Sequence, residues 1–151
     1  MRTETDCCEP RVLGLYDVDE VIASYVNLYS AGRHRAPPPR DLFHWMTTRG
    51  HAWVLAELPL AILNYQTLEE SGDSRIELAK TYAKKMGGFP PGSASYNERS
   101  QRRRAGKAYV ADGNHRTLAA QIRGDCAIRM FMPRGEYEAL ISDAEFRGLL
   151  D

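Results

Sequence analysis

Long apolar runs are missing from this 151-residue chain. No stretch approaches the ~18 consecutive apolar residues of a bilayer-spanning helix, so no transmembrane helix and no membrane partner are expected. The opening MRTETDCCEPR carries acids where a secretory signal needs a cationic and then an apolar stretch, which makes the cytoplasm the expected location. Cysteine is scarce. Cys7, Cys8 and Cys126 are an odd set with two neighbours near one end, which is neither a disulfide framework nor a zinc-ligand spacing. Net charge is absent too: 20 basic and 20 acidic side chains cancel. Global electrostatics therefore supplies no attraction to nucleic acid, membranes or acidic partners, and any such attraction has to come from local clusters. Internal repeats and low-complexity tracts are also lacking.

What is present belongs to a globular protein. Hydrophobic residues at 43% and charged residues at 26% match folded-domain averages and exclude wholesale disorder or a coiled coil. The length suits one domain that buries about 70% of its unfolded surface without metal or disulfide staples.

After a loose-looking first dozen residues, Asp17 and Glu20 read as a capping box. Val18, Val21, Ile22, Tyr25, Val26 and Tyr29 then recur at helical spacing up to Gly32. The triple proline of residues 32–40 breaks that helix and reads as a stiff connector. Asp41 opens a second short helix with Leu42, Trp45 and Met46, closed by Gly50. HAWVLAELPLAIL (51–63) predicts a strand, a bend at Pro59 and a second apolar segment. Ser74 and Glu77 suggest another capping box on a helix over 71–86, with Ile76, Ala79, Tyr82, Ala83 and Met86 on one face. Residues 89–107 read as a long loop. A strand is expected around 108–111, a helix over 115–123 closed by Gly124, a strand over 127–132, and a C-terminal helix turning Tyr137, Leu140 and Ile141 inward. The expected fold is α+β: a helical extension over 1–50, then a domain over 51–151 in which a mixed short sheet is flanked by helices.

Chemistry concentrates in YVADGNHRTLAAQIRGDCAIRMFM (109–132). A strand runs into Asp112-Gly113-Asn114 and a helix starts at once. A helix N-terminus presents unpaired N–H groups and the positive end of the helix dipole, which suits a phosphate or another anion. Gly113 permits close approach and a positive φ. Arg116 has the fork for a phosphate, and His115 donates, accepts or shuttles a proton near neutrality. Asp112 is placed to hold a metal or orient a hydroxyl. The same residues are also compatible with an ordinary turn and a solvated first helical turn.

The string Asp112-Gly113-Asn114-His115-Arg116, followed by Leu118-Ala119-Ala120 and by Gly124 before a strand, resembles the signature box of the ParB/sulfiredoxin superfamily. Leu58-Pro59-Leu60 with Ile62 resembles that family's opening strand and bend, and the Arg75 to Met86 helix resembles the one preceding its box. The resemblance spans roughly residues 53 to 135. It implies a ParB/sulfiredoxin-like domain that binds ATP or CTP, commonly with Mg2+, at Gly113, Asn114, His115, Arg116 and Thr117. Asp112 and His115 would be catalytic, and Asp112 would be the metal ligand. Sulfiredoxins place their cysteine just before the His-Arg pair. Here that position is Asn114, which removes the thiol that phosphoryl-sulfinic chemistry requires. The chromosome-partitioning branch continues into DNA-binding and dimerisation domains, whereas this chain ends soon after the box. The implied activity is therefore NTP hydrolysis (an ATPase or CTPase) or kinase-like transfer of a γ-phosphate, with Glu57, Glu69 and Glu70 as candidates for a second carboxylate.

Arg102, Arg103 and Arg104, with Arg99 and Lys107 nearby, are the sharpest charge cluster. They support an alternative in which the chain is a DNA-binding or nuclease module and these arginines touch the backbone. Tyr96 and Phe89 are placed to stack on a base or to anchor their loop. His34, His44 and His51 lack the spacing of metal ligands. Trp45 and Trp53 are expected to join the N-terminal region to the domain. Dimerisation is left open.

Overall fold

A computed structural model describes residues 9–30, 40–84, 91–97 and 107–143. The elements in chain order are β1 (Arg11–Asp17), α1 (Val18–Ser30), α2 (Arg40–Thr48), β2 (Ala52–Pro59), a 3-10 turn (Leu60–Ile62), β3 (Leu63–Asn64), a second 3-10 turn (Leu68–Glu70) and α3 (Asp73–Lys84). They continue with β4 (Gly92–Tyr96), β5 (Ala108–Asp112), α4 (Asn114–Arg123), β6 (Ala127–Pro133) and α5 (Arg134–Ser142). The fold is α+β. One mixed sheet has the order β1-β2-β6-β4-β5-β3, with β4–β6 and β3–β5 parallel and the other pairs antiparallel.

The sheet is covered on both faces because β2 and β6 alternate two apolar sets. Val54, Ala56, Leu58, Met130 and Met132 join Ile62, Leu63, Tyr65 and the inner face of α5, Tyr137 and Leu140. Trp53 and Phe131 point the other way and meet Val18, Val21 and Tyr25 of α1 and Leu42 and Met46 of α2. Trp53 is 1% exposed, donates its indole N–H to Gly50 O at 2.9 Å and lies edge-on to Trp45. The two tryptophans do join the N-terminal region to the rest. Glu20 closes the cap of α1 by accepting from the Asp17 amide at 2.9 Å, and Asp17 accepts from Asp19 N.

Several details differ from the sequence reading. The stretch before position 50 is not purely helical: β1 runs antiparallel to β2 and forms the sheet's edge, so both stretches share one sheet. β4 lies within what reads as a loop; Gly-Ser-Ala-Ser has turn composition, yet the strand is sandwiched between β5 and β6, where small side chains fit. The second capping box is Thr67 with Glu70 on a 3-10 turn, while Ser74 lies inside α3. Ile141 is 38% exposed. The three cysteines read as no disulfide framework, yet Cys126 is exposed and disulfide-bonded, with its partner outside the described residues. No helix among the described residues is long and apolar enough to cross a membrane.

Candidate functional site

The centre of the 109–132 segment forms as its residue types dictate. β5 ends at Asp112, Gly113 turns with φ +99°, and α4 begins at Asn114. An L side chain at Gly113 would be strained by that φ and would also stand 3.1 Å from the Gly92 Cα and 3.3 Å from two nitrogens of Arg116. Gly92 is more constrained still, because a Cβ there would fall 2.3 Å from the Asp112 carbonyl oxygen. Two glycines therefore let β4 close against the turn. The α4 N-cap is itself a glycine, so no side chain caps the first amides of the helix. Gly124, with φ +78°, ends α4 as expected.

In front of this helix start lies a cleft of about 250 Å3 lined by Arg75, Tyr82, Asp112, Gly113, Asn114, His115 and Arg116. Five of the six positions from 112 to 117 thus share one cleft. Thr117 does not line it: the side chain is fully buried and donates its hydroxyl to Gly113 O at 2.8 Å. Arg116 borders the cleft but is only 5% exposed. Its Nη2 donates to Asp112 Oδ2 at 2.8 Å and its Nη1 to Pro91 O at 3.3 Å. Its guanidinium thus clamps β5, the β4 entry and the α4 start together.

The second cation is one that residue patterns did not single out. Arg75, Ala79 and Tyr82 stand at i, i+4 and i+7 on α3, the stripe that packs on α4 with Ala79 fully buried. Arg75 Nε is buried and has no hydrogen-bond partner among the described residues. An arginine in line with Ala79 and Tyr82 on one helical stripe is the signal that would have found it. Tyr82 faces His115, with ring centroids 6.1 Å apart and planes at 35°. His115 has a pKa below its usual 6.5, first because it is partly buried and then because Arg75 and Arg116 repel a third positive charge. The cleft thus holds one neutralised guanidinium, a second whose Nε has no partner among the described residues, an imidazole that resists protonation and a set of helix-opening amides.

The remaining candidates lie elsewhere. Glu57 is buried beside Arg11 at 3.6 Å, Glu70 is used in the Thr67 cap, and neither it nor Glu69 lines the cleft. Asp112 is the one carboxylate there among the described residues, and Arg116 holds one of its oxygens. No group of three or more His, Cys, Asp or Glu side chains suited to a metal occurs among the described residues. A magnesium ion at Asp112 would accordingly take most of its oxygen ligands from phosphates and water. Lys107 is buried and pairs with Asp143 at 3.0 Å, and the Tyr96 phenol donates to the same carboxylate at 2.6 Å. His44 and His51 are exposed. Arg99, Arg102, Arg103, Arg104, Phe89 and His34 lie outside the described residues.

No family model, curated protein or solved structure matches the chain.

Proposed function

We propose that this protein binds a nucleoside triphosphate, ATP or CTP, by its phosphates in the cleft before α4, and hydrolyses it or passes on its γ-phosphate. The observation that carries this reading is Arg75. A buried guanidinium nitrogen without a partner among the described residues lines the same cleft as His115 and the uncapped amides of α4, and the guanidinium and the amides favour an anion. A volume near 250 Å3 suits the phosphate end of such a ligand, while the base lies outside.

Phosphoryl transfer depends chiefly on positioning and charge neutralisation. Arg75 supplies a fork for phosphate oxygens. The α4 amides add the helix dipole. His115, neutral in the empty site, can accept a proton once a phosphate offsets the two arginines. Asp112, steadied by Arg116, has a second oxygen to orient a water or an acceptor hydroxyl. Mg2+, when bound, would neutralise phosphate charge.

Titration with ATP and CTP, by calorimetry, of the wild type and Arg75→Gln tests the reading. Loss of a charge-assisted bond should weaken binding by about 1.5–3 kcal/mol. A wild type that binds neither nucleotide overturns the proposal. The DNA-binding or nuclease alternative draws on Arg102 to Arg104, and no described residue adds to it.

A further inference from the structure

The charges that line the cleft decide in which form a triphosphate enters it. Arg75 reaches it from α3 and Arg116 from α4, against Asp112 as the carboxylate among the described residues. Asp112 Oδ2 accepts from Arg116 at 2.8 Å, so these two charges cancel as a pair. That leaves the charge of Arg75, whose buried Nε has no partner among the described residues, and the first amides of α4, which no side chain caps. Among the described residues the cleft is thus electropositive. His115 responds to that field: it sits below its usual pKa of 6.5 first through partial burial and then through repulsion by Arg75 and Arg116. Repulsion that opposes one proton acts on twice the charge of a divalent cation.

Magnesium asks for the opposite lining: hard oxygen ligands in a near-octahedral array, with carboxylates to hold it. Asp112 has its second oxygen for that purpose, and no group of three or more His, Cys, Asp or Glu side chains suited to a metal occurs among the described residues. Residues 85–90, which join α3 to β4 and lie outside the described residues, are KMGGFP and include no acid. A metal on Asp112 would also draw on the carboxylate through which Arg116 ties β5 to α4 while bonding to Pro91 O. Phosphate oxygens require no such rearrangement. A guanidinium fork and a row of helix-opening amides meet them directly.

Building on the nucleotide reading above, we infer that the cleft takes its triphosphate as the metal-free polyanion. Arg75 and the α4 amides stand where a magnesium ion would otherwise offset the phosphate charge, and Mg2+ in solution competes with the protein for the ligand. Calorimetric titration of the full chain with ATP, CTP and inorganic tripolyphosphate, in EDTA and again in excess Mg2+, tests this. All three should bind in EDTA, and excess Mg2+ should weaken binding about tenfold, the equivalent of one charge-assisted contact. In Arg75→Gln, shown to be folded by its unfolding curve, the two conditions should differ by less than about threefold, because the charge that favours the metal-free anion is gone. Equal or tighter binding in Mg2+ overturns the inference and leaves the nucleotide reading intact, as does a full Mg2+ penalty retained in Arg75→Gln. A wild type that binds tripolyphosphate in this way but neither nucleotide keeps the metal-free site and removes the nucleotide. A wild type that binds none of the three in either condition overturns both.

Discussion

Two regions of this molecule solve opposite problems. The side formed by β1, α1, α2 and the Trp53–Phe131 face of the sheet is built from aromatic and branched side chains; the Trp53 indole has its carbonyl and the start of α1 is capped from both directions. The corner formed by β4, the β5–α4 turn and the α3 stripe has two glycines under backbone constraint, an uncapped helix start and a guanidinium nitrogen without a partner among the described residues. Side chains cap the helix start in the first region and none does so in the second. A helix start left uncapped beside constrained glycines suits a surface shaped for something other than stability. Inside that corner the same contrast recurs between two arginines. Arg116 is neutralised and holds the turn; Arg75 has a buried Nε with no partner among the described residues.

The comparison can be broken by experiment. The largest effect belongs to the aromatic side: Trp53→Ala should cost about 3–5 kcal/mol in denaturant unfolding and leave the cleft's chemistry untouched. In the corner, Arg116→Ala should cost about 2–4 kcal/mol, because Asp112 loses the partner that shields its charge. Arg75→Gln should leave stability equal or slightly higher while removing most nucleotide or triphosphate affinity. If the two variants instead lose stability alike, the division of labour between the arginines is wrong.

A smaller effect separates the glycines. Gly113→Ala should cost about 1–3 kcal/mol, from left-handed strain plus contact with Gly92. Gly50→Ala, with φ +104° but no atom within 4 Å of its Cβ, should cost only about 1 kcal/mol by the same measurement.

The smallest effect is a pH dependence at His115. Its native pKa lies below 6.5, so the unfolded chain binds the proton first as pH falls, and stability should decline below pH 6.5 relative to His115→Asn. A bound phosphate reverses the preference by favouring the imidazolium. Triphosphate binding should then take up a proton and tighten toward lower pH in the wild type more than in His115→Asn. Equal pH profiles for the two proteins would detach His115 from the site.

How much of this was legible beforehand follows from the range of each interaction. The α1 cap, the Pro59 bend, the strand–Gly113–helix unit and the Gly124 stop are written in residues three or four apart, and they appear where residue types put them. β4 was hidden because Gly-Ser-Ala-Ser becomes a strand only between two neighbours that supply its hydrogen bonds. β1 was hidden because its pairing partner begins at Ala52, after two helices. Tyr96 and Lys107 resembled parts of a basic loop until Asp143 drew both inward.

The site divides along the same line. Sequence by itself determined that a glycine turn would open a helix carrying His115 and Arg116, because backbone freedom and helix geometry are local properties. Tertiary structure alone decided which arginine is spent on the fold. Asp112 lies one helical turn from Arg116 and neutralises it, along with a carbonyl supplied by Pro91 across the sheet. Arg75 reaches the cleft because α3 packs on α4, and among the described residues its Nε finds no partner there. Whether a charged side chain is available to a ligand depends on every group within a few ångströms, and those neighbours are assembled only when the chain folds.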